Sequence, residues 1–136
     1  MLTQRLLIGT LVGAVVFTLA GYLAYGVVFA DFFANNSGSA TGVQRDPFDF
    51  VSLVAGQVVF GALLTIILIW ASAASVMQGV KIAFVTGLLF FLGIDLTMFA
   101  TTHIQNLKAS LVDPIIGAFL FAIAGAAIMA VTKGKK

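Results

Sequence analysis

Long uncharged stretches alternate with short polar segments along this chain. Four of the stretches are long enough to cross the hydrocarbon core of a bilayer as a helix, which takes about 20 residues. The four spans are predicted over residues 6–30, 47–70, 81–102 and 114–132. Between the first two, residues 31–46 are rich in Gly, Ser, Asn and Thr and predict a polar outer loop. The pattern therefore predicts an all-α, polytopic membrane protein, with residues 1–136 forming a single four-helix transmembrane bundle.

The composition strengthens this prediction and excludes one class of partner. Of 136 residues, 61% are hydrophobic and 9% are charged, and the mean hydropathy is +1.15, whereas a soluble domain is about 25% charged. The net charge of +2 comes from scattered residues beside the spans, so nucleic acid is not an expected partner. The expected surroundings are the lipid bilayer and other membrane helices.

The basic residues predict the orientation of the chain in the membrane. With four spans, the two termini and the turn between the second and third spans lie on one side. That side carries Arg5, Lys81, Lys133, Lys135 and Lys136, and the other side carries only Arg45 and Lys108. Because Lys and Arg are in excess in cytoplasmic loops, both termini are predicted to be cytoplasmic in a multi-pass plasma membrane protein.

Both prolines of the chain follow an aspartate, in Asp46-Pro47 and Asp113-Pro114. Proline fits the first position of a helix because its missing N–H is not needed there, and a preceding aspartate can accept from the free N–H groups. Asp46 and Asp113 are therefore predicted as caps of the second and fourth spans. These similar starts, and a glycine followed four residues later by a phenylalanine in every span, indicate two repeated helical hairpins.

Small residues form stripes on two of the predicted helices. Gly9 and Gly13 lie one turn apart on the first span, and the fourth span carries Ala118, Ala122, Ala126 and Ala130. Lipid tails provide no hydrophobic drive between helices, so association depends on close packing along such stripes. We interpret them as helix-packing surfaces, either inside the bundle or against another subunit.

One acid, Asp95, lies inside a predicted span. Fourteen residues at about 1.5 Å each place it about 21 Å from Lys81, within a hydrocarbon core about 30 Å thick. An ionised carboxylate at that depth costs at least about 2.5 to 3.5 kcal/mol, so it should be paired, protonated or turned inward. By their depth, Tyr22, Tyr25 and Gln57 are predicted to meet Asp95 in one layer.

The predicted polar layer has two interpretations. In the functional one, Asp95 binds a proton or a ligand in a small cavity that opens outward, and Tyr22, Tyr25 and Gln57 form hydrogen-bonding walls. In the structural one, the same side chains only hold the helices in register. Both remain open at the level of sequence.

The residues of common catalytic and metal sites are missing from the sequence. The chain has no cysteine, and its single histidine, His103, has no second histidine to share a metal. That histidine is too close to the membrane edge to bind a haem in mid-membrane. We find no nucleophile motif, phosphate-binding loop or adjacent pair of carboxylates. We therefore expect no metal, no cofactor and no enzyme activity.

Three segments carry a resemblance to a known type of protein. The first span ends in GYLAYGVVFADFF, and GLLFFLGIDLTMFATTHIQN and LVDPIIGAFLFAIAGA follow later. In this layout the chain resembles small bacterial four-helix membrane proteins of unknown function. The resemblance implies a location in the bacterial inner membrane, and it implies no activity.

Two classes of function fit these observations. The small-residue stripes and short loops favour a structural or accessory subunit, which would pack as an oligomer or within a larger membrane complex. The alternative is a small transporter or binder of a proton, a cation or an apolar molecule, centred on Asp95.

Overall fold

The computed structural model describes residues 2–134, which fold into helices whose longest connection covers residues 36–49. The first helix, α1, covers Leu2–Gly21 and continues as a π-helix over Tyr22–Val28, which we call the π segment. The remaining helices are α2 (Ala30–Asn35), α3 (Phe50–Trp70), α4 (Val76–Thr101) and α5 (Leu107–Thr132). Within the described residues, the only pairing of β type is a single bridge between Ser37 and Gln105.

Four of these elements are long and apolar enough to cross a membrane: Leu2–Val28, Phe50–Trp70, Val76–Thr101 and Leu107–Thr132. Each satisfies its backbone hydrogen bonds internally, as a lipid environment requires. Large apolar side chains are exposed at every fourth position of α1, from Leu7 through Leu11 and Val15 to Leu19. The prediction of an all-α, multi-pass membrane protein built as a four-helix bundle is confirmed.

All four spans begin at different residues from those predicted, the second at Phe50 rather than 47. The fourth transmembrane helix begins at Leu107 rather than 114, because Asn106 caps it by accepting from the Ala109 amide at 2.9 Å. The third begins at Val76 rather than 81, because the Ser75 hydroxyl accepts from the amide of Gln78. The first already starts by Leu2. Part of the predicted loop 31–46 also belongs to helix α2.

The predicted capping roles of Asp46 and Asp113 are both wrong. The second transmembrane helix is capped instead by Asp49, whose carboxylate accepts from the Ser52 hydroxyl at 2.7 Å and from its amide at 3.1 Å. These hydrogen bonds hold the pKa of Asp49 below its ordinary value, and the one from the Ser52 hydroxyl has the larger effect. Pro114 lies inside α5, so Asp113 faces neighbouring helices rather than free N–H groups.

Close backbone contacts join the helices in two pairs. In the pair α1 and α3, a Cβ added to Gly13 would lie 2.8 Å from the Cα of Gly61. In the pair α4 and α5, a Cβ added to Gly87 would lie 2.7 Å from the Cβ of Phe121. Because only glycine permits these approaches, the glycines fix where each pair crosses. Two hairpins are thus present, and their common origin stays a prediction.

Aromatic side chains fill the centre where the four long helices meet. Phe121 of α5 is 1% exposed, and its ring centroid lies 4.8 Å from that of Phe17. Phe60 of α3 contacts both Phe121 at 6.1 Å and Phe90 of α4 at 5.8 Å. The N-terminal half of α3, nearer residue 50, is largely exposed.

Candidate functional site

Asp95 is buried near the C-terminal end of α4. It is 6% exposed and lies six residues before the end of the helix, which is about 9 Å of helix length. Its Oδ1 accepts a hydrogen bond of 3.1 Å from the amide nitrogen of Gln105, which also donates to the Ser110 hydroxyl at 2.9 Å. Asp95 is therefore held by the connection between α4 and α5.

A second carboxyl group faces Asp95 from α5. The side chain of Asp113 lies near the Asp95 carboxyl, close enough for the two groups to interact electrostatically. Asp113 is six residues from the start of its helix, so both acids lie at a similar depth. The hydroxyl of Tyr25 donates to Oδ1 of Asp113 at 2.5 Å. We call Asp95 and Asp113 the carboxyl pair.

One oxygen of the carboxyl pair lacks a donor. Among the described residues, Oδ2 of Asp95 is buried and has no hydrogen-bond partner. The donors that reach the pair, from Gln105 and Tyr25, are uncharged, and no lysine or arginine of the described residues hydrogen-bonds to it. Because an unsatisfied buried carboxylate oxygen is costly, this atom marks a place for a proton or another positive species.

The π segment places Tyr25 against the carboxyl pair. In this segment each turn takes up more residues than in an α-helix, a feature often found at functional sites. The amide of Phe29 closes the segment by donating to the Ala24 carbonyl at 2.8 Å. Helix α2 then turns back over the site, where Phe33 packs on the Tyr25 ring with centroids 5.4 Å apart.

Backbone hydrogen bonds join two segments next to the site. The amide of Gly38 donates to the Ile104 carbonyl at 2.8 Å, and the amide of Ala40 donates to that of His103 at 2.9 Å. Asn36 adds a side-chain contact of 3.1 Å with Asn106. We call residues 36–40 and 103–106 together the cover. Since the cover includes Gln105, it also supplies the amide that holds Asp95.

Of the four residues predicted to form one polar layer, the structure places Asp95 and Tyr25 near Asp113 and the other two elsewhere. Tyr22 is 69% exposed. The Gln57 amide donates to the carbonyl of Leu53 on its own helix, at 3.4 Å. Neither side chain hydrogen-bonds to Asp95. Tyr22 lies on an exposed side of its own span, and the N-terminal half of α3, which carries Gln57, is largely exposed, so similar depth alone does not create a contact.

Three members of the site were missed by the sequence analysis: Gln105, Ser110 and Asp113. No adjacent carboxylates occur in the sequence, yet folding brings together two that are 18 residues apart. A signal for two of these members exists. Asn106, Ser110 and Asp113 are spaced by four and three residues, which places them on one face of a helix that starts near residue 106.

The small-residue stripes lie mainly inside the bundle. A Cβ added to Gly9 would lie 2.7 Å from the Thr65 hydroxyl oxygen of α3. On α5, Ala118 is fully buried and Ala122 is 9% exposed, whereas Ala126 is only half-buried. Close contacts of α5 are also made with Gly79 and Gly87 of α4, which the sequence analysis did not predict as packing positions.

In the described residues no group of three or more His, Asp or similar ligands could hold a metal ion. His103 is exposed in the cover. No family model matches the chain, and no curated protein or solved structure is significantly similar to it.

Proposed function

We propose that this protein binds a proton between Asp95 and Asp113 and acts as a small proton-dependent binder or transporter in the membrane. The observation that supports this most directly is the buried Oδ2 of Asp95, which has no donor among the described residues and lies beside a second carboxyl group. This function is the alternative that the sequence left open.

The physical reason is the repulsion between two carboxylates in a site of low dielectric constant. A single proton shared by the carboxyl pair replaces that repulsion with a hydrogen bond and supplies the missing donor. The remaining negative charge is stabilised by the Tyr25 hydroxyl and the Gln105 amide. The pair then changes charge when it gains a second proton or loses the first.

The proposed orientation places the carboxyl pair toward the outside of a bacterial inner membrane, with both termini in the cytoplasm. At the opposite end of the bundle, Arg5 donates to the Ala73 carbonyl at 3.3 Å, and Lys81 and Lys133 lie near the helix ends. This excess of basic residues supports a cytoplasmic location for that end.

Infrared spectroscopy of the protein in lipid nanodiscs tests the proposal. A protonated carboxyl group has a carbonyl stretch that is absent from a carboxylate and shifts in D₂O. We expect such a band at neutral pH in the wild type, and its loss or shift in Asp95→Asn and in Asp113→Asn. The exposed Asp31→Asn is the matched control and should leave the band unchanged. Identical spectra for all four proteins would refute proton binding by the pair.

Transport is tested separately in sealed vesicles that contain a pH-sensitive dye. We expect the wild type to speed the decay of an imposed pH gradient or of a gradient coupled to a transported solute, and Asp95→Asn to abolish the effect. A protonated pair without any flux would assign the protein as a binder.

A specific observation favours an accessory subunit as the second candidate. On the N-terminal half of α3, Val51 is 82% exposed and Val59 is 65% exposed, and a Cβ added to Gly56 would meet no atom within 4 Å. Among residues 2–134, the Gln57 side-chain amide on the same half hydrogen-bonds only within its own helix. A polar side chain at such depth favours a partner helix. Stoichiometric co-purification of another membrane polypeptide in mild detergent would support this role, and a lone monomer would argue against it.

A further inference from the structure

An apolar groove opens on the surface of the bundle, and its nearest lining residues on α5, Ile115 and Ile116, follow Asp113 by two and three residues. Its volume is about 320 Å³. One wall comes from Ala24 within the π segment and from Phe29, which follows it. The other comes from α5, through Ile115, Ile116, Phe119 and Leu120.

The groove runs along the face of α5 that carries Asp113. Ile116 and Leu120 follow Asp113 by three and seven residues, which places all three on one face. They are 7% and 9% exposed and form the floor. Ile115 and Phe119 are 52% and 59% exposed and form the rim toward lipid. The floor thus extends about 10 Å from Asp113 toward the bilayer centre.

We propose that the groove and the carboxyl pair form one binding site for a lipophilic organic cation. Its positive group lies at Asp113 and Asp95, and its apolar body lies in the groove. This inference rests on the proposed function, because it uses the same carboxyl pair, and it adds the class of molecule that exchanges with the proton.

Charge complementarity supports a cation. A carboxyl pair that shares one proton carries one negative charge, and its donors Tyr25 and Gln105 are neutral. A monovalent cation neutralises this charge where no lysine or arginine does. Arrival of the cation at the pair also favours release of the shared proton, since two positive charges then compete for the same oxygens.

The lining of the groove supports a lipophilic molecule rather than a small hydrated ion. All six lining residues are apolar, so they offer a metal ion no ligand but bury the carbon surface of an organic molecule. The volume lies at the lower end of the range for small-molecule sites, about 300 to 1,000 Å³. The exposed rim allows entry directly from the lipid.

Binding of tetraphenylphosphonium to the protein in nanodiscs of zwitterionic lipid tests this inference. We expect saturable binding of one ion per chain. Tetramethylammonium has the positive charge but lacks the large apolar body. Triphenylphosphine oxide has a large apolar body but no net charge. Each should bind at least about tenfold more weakly, since each loses one of the two interactions. Equal binding of the neutral compound would overturn the inference.

Two tryptophan substitutions separate the groove from the general lipid surface. Ile115→Trp fills the mouth of the groove and should weaken tetraphenylphosphonium binding at least about tenfold. Ile123→Trp is the matched control, because Ile123 lies two turns further along the same exposed face of α5, is 53% exposed and does not line the groove. Equal affinities of the two variants would show that the probe only partitions into lipid.

The two proposals fail in distinguishable ways. Ile115→Trp leaves both carboxyl groups in place, so its protonated-carboxyl infrared band should persist although the cation no longer binds. If the wild type shows that band and does not bind tetraphenylphosphonium, the inference fails and the proposed function stands. If Asp95→Asn and Asp113→Asn change neither the band nor the binding, both fail.

Discussion

The crossing of α1 and α3 at Gly61 can be tested with one methyl group. In Gly61→Ala, the new Cβ would lie 2.8 Å from the amide nitrogen of Ala14 and 3.3 Å from the carbonyl carbon of Gly13. These are backbone atoms, so no side-chain rotation relieves the contact. The two helices have to move apart until the methyl group reaches an ordinary separation.

The expected cost follows from that displacement. A gap of about 0.5 to 1 Å between packed atoms forfeits roughly a quarter to a half of their dispersion attraction. Overpacking of this kind destabilises proteins by about 1 to 3 kcal/mol. Gly56→Ala on the same helix is the matched control, because its Cβ meets no atom within 4 Å. Both variants gain the same helix propensity, so their difference isolates the steric cost, about 1 to 3 kcal/mol.

Stability is measured by unfolding the protein in mixed micelles with an increasing fraction of SDS and following the folded population by pulse proteolysis. We expect Gly61→Ala to unfold at a lower SDS fraction than the wild type, and Gly56→Ala at the same fraction or a higher one. If Gly56→Ala were destabilised as much as Gly61→Ala, the crossing point described for α1 and α3 would be incorrect.

Two further predictions concern the hydrogen bonds of Tyr25 and Asp49. Tyr25→Phe removes the donor to Asp113 and should destabilise the protein by about 1 to 3 kcal/mol in the same SDS assay, whereas the exposed Tyr22→Phe should change stability by less than about 0.5 kcal/mol. The Asp49 cap of α3 should be complete above the ordinary pKa of an aspartate and should be lost as the pH falls through its lowered pKa. Hydrogen exchange of the Ser52 amide, followed against pH, measures that loss; an exchange profile identical to that of Asp49→Ala would contradict it.

The spans could be predicted from the sequence because lipid imposes a simple demand, an uninterrupted apolar helix of sufficient length. The burial of Asp95 followed for the same reason, since a carboxylate at that depth has to face protein. The partners of Asp95 could not be predicted from this demand. Depth along a helix says nothing about which helices are neighbours, so Gln57 of α3 was placed where Asp113 of α5 lies.

The remaining errors arose where a local signal competed with another. Asp113-Pro114 is a typical helix start, yet Asn106 is an equally good cap seven residues earlier and begins the helix. The glycine contacts of α4 were missed because Gly79 lies in the segment predicted as a turn. A Ser75 cap, which adds five residues to the start of that helix, brings Gly79 and Gly87 onto one seam with α5.

Because of the bridge between Ser37 and Gln105, Gln105 connects two separate parts of the chain. The backbone on either side of Gln105 is hydrogen-bonded to Asn36 and Gly38, in the connection between the first and second transmembrane helices, and the Gln105 side chain donates to an acid of the C-terminal hairpin. A movement of the segment at Ser37 away from the bundle therefore lengthens the hydrogen bond between Gln105 and Asp95. Exposure of Asp95 to water and loss of its hydrogen bond from Gln105 would then occur together, and both hairpins would take part.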